Sequence, residues 1–167
     1  AADLRAVRRG RALRDGPVTI ERREAVKHAA WNNNLISEIK WVDSKLFEED
    51  PRKLSSLDEL DGIIVPGGFG NSGIDGKIAT IRYCREKGIP YLGLCLGMQL
   101  AVVEYARNVC DLKDAHSTEF DKKTPHPVID FIPDQVKILQ ESHYGATMRL
   151  GAYPADIKKG TIIYNLY

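Results

Sequence analysis

The stretch IPYLGLCLGMQLAVVEYARNV, residues 89–109, decides how this chain folds. IPYLGL reads as a buried strand, and Cys95 begins a helix that runs through Arg107. At the junction lies GLCLG, residues 93–97, the cysteine form of the G-x-S-x-G turn that joins a strand to a helix. Such a turn is too tight for a side chain at Gly93 or Gly97, so the cysteine projects alone from the end of the sheet. There its sulfur meets the partial positive charge of a helix N-terminus, which favours a thiolate. The backbone N–H of Leu96 points toward the same spot, where it can bind a developing oxyanion. An isolated cysteine in an apolar strand is usually a small buried hydrophobe. The paired glycines and the change from strand to helix favour a nucleophile instead. Cys84, at helical spacing from Ile81, reads as core, and Cys110 closes a helix.

Working outward, the chain alternates helical and strand patterns from Glu21, the signature of a parallel sheet covered by helices. ERREAVKHAAW predicts a helix with Val26, Ala29 and Ala30 toward the core. LISEIKWV predicts a half-buried strand with Leu35, Ile39 and Trp41 on one face. Ser55 opens a short helix through Leu60, with Asp58 three residues on as in a capping box. GIIVP is a buried strand stopped by Pro66, and DGKIATIRYCREKG is an amphipathic helix ended by Gly88. Long loops follow Cys110, with a short strand near Val128, and TMRLG and TIIYNLY are two further candidate strands.

The loop GGFG, residues 67–70, ends the strand before the elbow, so its backbone lies at the carboxyl edge of the sheet, where open α/β folds bind ligands. Lacking a Cβ, Gly68 can bring its N–H close to a bound carbonyl. With Leu96 it would make an oxyanion hole for attack on an amide. A phosphate-binding loop is a poorer reading, because no Gly-Lys-Ser/Thr follows.

Composition excludes other classes. The 167 residues suffice for one domain with a hydrophobic core, and 43% hydrophobic with 28% charged residues fit a globular α/β protein. A net charge of +1 makes no case for nucleic acid or a membrane surface. Three cysteines without CxxC spacing argue against disulfides and zinc and for a reducing, cytoplasmic home. Residues 1–20, with five arginines in the first sixteen, read as a solvated tail or linker plus the remnant of a first strand at PVTI. Residues 21–167 read as the second segment, a globular α/β domain.

Taken together, VPGGFG (65–70), GIDGKIA (73–79), IPYLGLCLGMQLAVVEYARNV (89–109), DAHSTEFD (114–121), TPHPVID (124–130) and TMRLGAY (147–153) resemble the glutaminase domain of the CTP synthase family, a branch of the class I glutamine amidotransferases. The resemblance implies a three-layer, flavodoxin-like α/β fold with a mostly parallel central sheet and helices on both faces. Cys95 would attack the side-chain amide of L-glutamine and form a thioester, with Gly68 and Leu96 as oxyanion donors. Gly97, Met98 and Gln99 would help bind the substrate, and Glu119 would contact its amino-acid end.

In that family a His and a Glu complete the triad from a segment beyond TIIYNLY, as does an arginine for the substrate carboxylate. The resemblance therefore implies that residues 21–167 are a partial, truncated glutaminase domain with little activity of its own. Among the histidines here, His116 is the most interesting, because it precedes STEF, where the family usually carries an asparagine. The family further implies a partner synthetase domain that aminates UTP with the released ammonia. ATP and Mg would belong to that domain, with no cofactor in this chain, GTP as a candidate allosteric activator and a homo-tetramer in the full protein. The alternatives are a non-catalytic or regulatory glutaminase-like module, or another class I amidotransferase.

Overall fold

The computed structural model describes residues 3–8, 17–68, 70–131 and 154–166. In chain order the elements are β1 (Asp3–Arg8), α1 (Pro17–Asn32), β2 (Glu38–Asp43), α2 (Lys45–Glu49), a 3₁₀ helix (Pro51–Leu57), β3 (Gly62–Val65), α3 (Ile74–Lys87), β4 (Tyr91–Gly93), α4 (Leu96–Asn108), β5 (His116–Ser117), β6 (Pro127–Ile129) and α5 (Ile162–Leu166). They fall in two units, Ala1–Asp130 and Phe131–Tyr167.

In the first unit, the main sheet has the order β2-β1-β3-β4. β3 and β4 are parallel, with Ile63 opposite Tyr91 and Val65 opposite Gly93. β1 runs antiparallel to both β2 and β3, so β2, β3 and β4 all point one way. The co-directional strands agree with the expected mostly parallel sheet, and β1 is the exception inside it. Asp3–Arg8, read from composition as tail, is therefore a sheet strand, and PVTI lies in α1. Five arginines concealed a segment whose gain is tertiary: pairing on both edges satisfies its backbone, which composition does not report.

Other differences have local causes. Asn34 takes a left-handed conformation, φ 55°, and Leu35 N–H closes back on Ala30 O at 2.8 Å. Leu35 thus closes the turn after α1 instead of joining β2, and it stays exposed along with Ala29, while Val26, Ala30, Ile39 and Trp41 are half-buried. The expected Ser55 capping box does not form. Pro51 starts a 3₁₀ turn, the Asp50 carboxylate accepts from the Arg52 N–H at 3.1 Å, and Asp58 accepts from the Tyr83 hydroxyl at 2.7 Å. In the second unit Ile162–Leu166 is helical, not a strand. The Thr161 hydroxyl accepts from Tyr164 N–H at 3.2 Å, an N-cap that outweighs the β-propensity of two isoleucines. TMRLG lies outside the described residues.

The core has two parts. Ile63 and Val65 join Phe47, Leu57, Leu60 and Cys84 in one cluster. Ile74, Ile78 and Ile81 of α3 meet Leu96, Leu100 and Val103 of α4 in the other. Tyr91 packs against both. The strand register places Tyr91 and Gly93 on the same face as Ile63 and Val65, while Leu92 stands on the opposite face and is 52% exposed. A polar contact reinforces the helix pair: Arg85 grips both oxygens of the buried Glu104 carboxylate at 2.9–3.2 Å, and Asn108 Nδ2 donates to it at 3.1 Å. Among the described residues no helix is long and apolar enough to cross a membrane.

Burial pushes the Cys84 thiol up to about 11 from an ordinary 9.0. The folded chain therefore holds this proton more tightly than the unfolded chain does. Its contribution is complete below pH 9.0 and is lost as pH rises toward about 11. Urea unfolding at pH 8 and pH 10.5 should show a loss of up to about 2 kcal/mol from this group. The Cys84→Ala variant should lose correspondingly less over the same interval.

Candidate active site

Between β4 and α4 the chain turns at Cys95, which has φ 54° and ψ −110° and caps the N-terminus of α4. A non-glycine residue at such angles costs on the order of 1–3 kcal/mol and persists only where its surroundings impose it. Here they do. Leu94 N–H donates to Val65 O at 2.9 Å, Gly97 N–H to Leu94 O at 3.0 Å, and Gln99 N–H to Cys95 O at 3.1 Å. The Tyr91 hydroxyl donates to Gly97 O at 2.7 Å.

Both glycines are demanded by space, as the sequence led one to expect. A Cβ at Gly97 would stand 2.0 Å from the Val65 carbonyl oxygen, and one at Gly93 would stand 2.6 Å from Gly97 C and Met98 N. The Cys95 side chain is consequently exposed at the end of β4, whereas Cys84 is 1% exposed and Cys110 lies on the surface.

The remaining predicted site residues surround this turn unevenly. Leu96 is buried in the second core cluster, and among the described residues its N–H has no hydrogen-bond acceptor. A Cβ at Gly68 would lie 3.7 Å from Leu96 Cδ2, so Gly68 does reach the start of α4. That distance is ordinary contact, and space alone does not require glycine there. Phe69 lies outside the described residues. Gly97 is buried, Gln99 half-buried and Met98 55% exposed.

Glu119 is exposed in the turn after β5, where its N–H donates to Ser117 Oγ at 3.2 Å. Its neighbour Phe120, together with Val128 and Ile129, packs on the cluster that holds Leu96 and Leu100, which ties this loop to α4.

His116 Nδ1 accepts from the Ser117 N–H at 2.9 Å, and its ring lies 5.8 Å from that of Phe120. Burial, then the positive charge of Arg107, holds its pKa below the usual histidine value, against opposing pulls from Asp75 and Asp121. His28 is on α1 beside Trp31, and His143 falls outside the described residues. Among the described residues no hydrogen bond joins Cys95 to a histidine, and no cluster of His, Cys, Asp or Glu could hold a metal ion. Sequence reasoning passed over Tyr91. The available signal was a tyrosine in a buried strand beside the elbow, since a buried phenol needs a hydrogen-bond partner.

A strand–turn–helix with an exposed thiol and a free backbone N–H beside it suits nucleophilic attack on a carbonyl carbon. Known proteins similar to this chain fall in one family. Residues 20–166 match the family model described as glutamine amidotransferase class-I. The CTP synthase of Pyrococcus abyssi is 54% identical over 145 residues, which cover 87% of this chain and 26% of that protein. The CTP synthase of Thermus thermophilus is 51% identical over 148 residues, covering 86% and 26%. A solved structure of the Trypanosoma brucei CTPS glutaminase domain with bound acivicin is 45% identical, with a TM-score of 0.54 over 56% of this chain and 36% of that one. The chain thus spans about a quarter of the length of the CTP synthases it matches.

The glycine contacts separate two substitutions. Gly97→Ala should destabilise the fold by about 2–3 kcal/mol in urea unfolding, because a backbone carbonyl must move to admit the methyl group. Gly68→Ala should stay within about 0.5 kcal/mol of the parent chain, because the added methyl group meets only an ordinary contact with Leu96.

Proposed function

The chain belongs to the class I glutamine amidotransferases, and on that premise we propose that it hydrolyses L-glutamine as the glutaminase portion of a CTP synthase, with Cys95 as the nucleophile. The observation that carries this reading is the exposed cysteine at φ 54°, held on a turn whose two glycines admit no side chain. Strain of that kind, enforced from several sides, has no purpose in a merely buried thiol. The near-50% identity to CTP synthases across most of the chain supports glutamine as the substrate and CTP formation as the larger reaction.

In the proposed reaction the Cys95 sulfur adds to the side-chain carbonyl carbon of glutamine, and the carbonyl π electrons move onto oxygen. The N–H groups of Leu96 and Gly68 bind that oxyanion, the interaction that commonly contributes most to such catalysis. When the carbonyl re-forms, the C–N bond breaks and the nitrogen leaves as ammonia, carrying the proton that the Cys95 thiol gave up on attack. Water then cleaves the thioester, which releases glutamate and regenerates the thiol. Gly97, Met98 and Gln99 on the first turn of α4 line the same place. The Glu119 carboxylate suits the substrate's α-ammonium group.

The ammonia would pass to a synthetase domain that aminates UTP with ATP and Mg. GTP activation, a homo-tetramer and a cytoplasmic location belong to the same proposal. Acivicin bound to the T. brucei glutaminase domain supports a ligand site in this part of the family.

Mass spectrometry of the intact chain after exposure to a glutamine-analogue chloroketone tests the assignment. One adduct should form, slow down in excess L-glutamine and vanish in Cys95→Ala. An adduct that persists in Cys95→Ala, or equal labelling of Cys110, would overturn it.

A further inference from the structure

We infer that Tyr91 is a positioning residue for amide cleavage: by holding the carbonyl of Gly97, its hydroxyl keeps the first turn of α4 in the pose that aims the Leu96 N–H at the reacting carbonyl. This rests on Cys95 being the nucleophile, as proposed above.

The geometry separates this role from simple stabilisation. Tyr91 is on the Ile63/Val65 face of the sheet, wedged between the two core clusters, and its hydroxyl reaches Gly97 O at 2.7 Å. Gly97 belongs to α4, where its carbonyl already has the helical ladder to accept from. The phenol is therefore a second donor to an oxygen with two lone pairs, and the helix does not need it to be satisfied. Gly97 must be glycine to approach Val65, and glycine is the residue that least restrains its own peptide groups. The lost restraint is supplied from outside.

The first turn of α4 is held by Leu94 N–H on Val65 O, by Gly97 N–H on Leu94 O, and by the Tyr91 hydroxyl on Gly97 O. The last is the side-chain clamp, and it acts one residue beyond Leu96. Burial pushes the Tyr91 pKa up, so the hydroxyl remains a donor well into alkaline solution. An N–H that must meet an oxyanion is sensitive to small displacements, because its benefit depends on distance and direction.

The experiment compares the full chain with Tyr91→Phe using two reagents. A glutamine-analogue chloroketone is aligned by its ketone oxygen on the oxyanion donors while the thiol displaces chloride from the adjacent carbon, whereas iodoacetamide, a small reagent from which the thiol displaces iodide, needs no such alignment. In Tyr91→Phe the limiting rate of Cys95 labelling by the chloroketone should fall about tenfold, as for a partly misplaced donor. Its half-saturating concentration should change less than about twofold, as expected when ground-state binding is retained. The iodoacetamide rate and its pH profile at Cys95 should be unchanged, as should the thermal midpoint. In chain labelled with ¹³C-glycine, the Gly97 carbonyl resonance should move upfield as its second donor is lost.

An unchanged chloroketone rate despite that carbonyl shift would overturn the role of Tyr91 while leaving the nucleophile assignment intact. So would an equal slowing of both reagents, which marks a general loss of structure. Failure of the chloroketone to label Cys95 even in the unsubstituted chain would overturn the nucleophile reading, and the role of Tyr91 with it.

Discussion

The site depends on how closely the backbone of α4 approaches that of β3. At Gly97 the gap is so small that a single methyl group would sit 2.0 Å from the Val65 carbonyl oxygen. That approach brings the helix N-terminus onto the end of the sheet and leaves Cys95 to turn the corner at positive φ. The strain there, on the order of 1–3 kcal/mol, is small against what the helix contributes. Leu96, Leu100 and Val103 are each at most 3% exposed, and burying such side chains is worth about 1.5–3 kcal/mol apiece. The helix cannot retreat to relieve the cysteine without giving up that burial. Packing energy along its buried side thus maintains the geometry at its first residue.

The far end of the same helix is secured differently. Glu104 is 1% exposed, and its charge is tolerable because Arg85 of α3 binds it through two nitrogens and Asn108 adds a further donor. Removing Arg85 would leave the Glu104 carboxylate buried without its counter-charge, which is why the pair matters to the position of α4. Apolar contacts near the elbow and a directional ion pair toward the C-terminus together fix the position and rotation of α4. A reactive group held on a regular element supported in this way is placed more accurately than one on a loop. The segment that carries Glu119 borrows the same support through Phe120.

Where the sequence reading went astray, long-range or cap interactions had overridden local pattern. Asp3–Arg8 looked like a charged tail, yet it has a strand on each side. TIIYNLY carries good strand formers, but one threonine hydroxyl at its head sets a helix going. Ser55 and Asp58 had the spacing of a capping box and were drawn to other partners, Arg52 O and the Tyr83 hydroxyl. Each involves a short segment, for which intrinsic preference is a weak prior that one or two specific contacts can reverse. The long periodic segments, α3 and α4, emerged close to where their apolar spacing put them.

By itself the sequence determined the strand–elbow–helix around Cys95, its two obligatory glycines and the α/β class. These follow from local constraints: residues a few positions apart must clear one another whatever the remainder of the chain does. It also carried the family, through runs such as CLGMQL and STEF. Only the tertiary structure decided that β1 inserts antiparallel between β2 and β3, that space does not require glycine at Gly68, and that the Tyr91 hydroxyl finds Gly97 O. Those outcomes depend on distances between chain segments brought together by folding, and such distances are set by the packing of the whole core rather than by any stretch of residues within it.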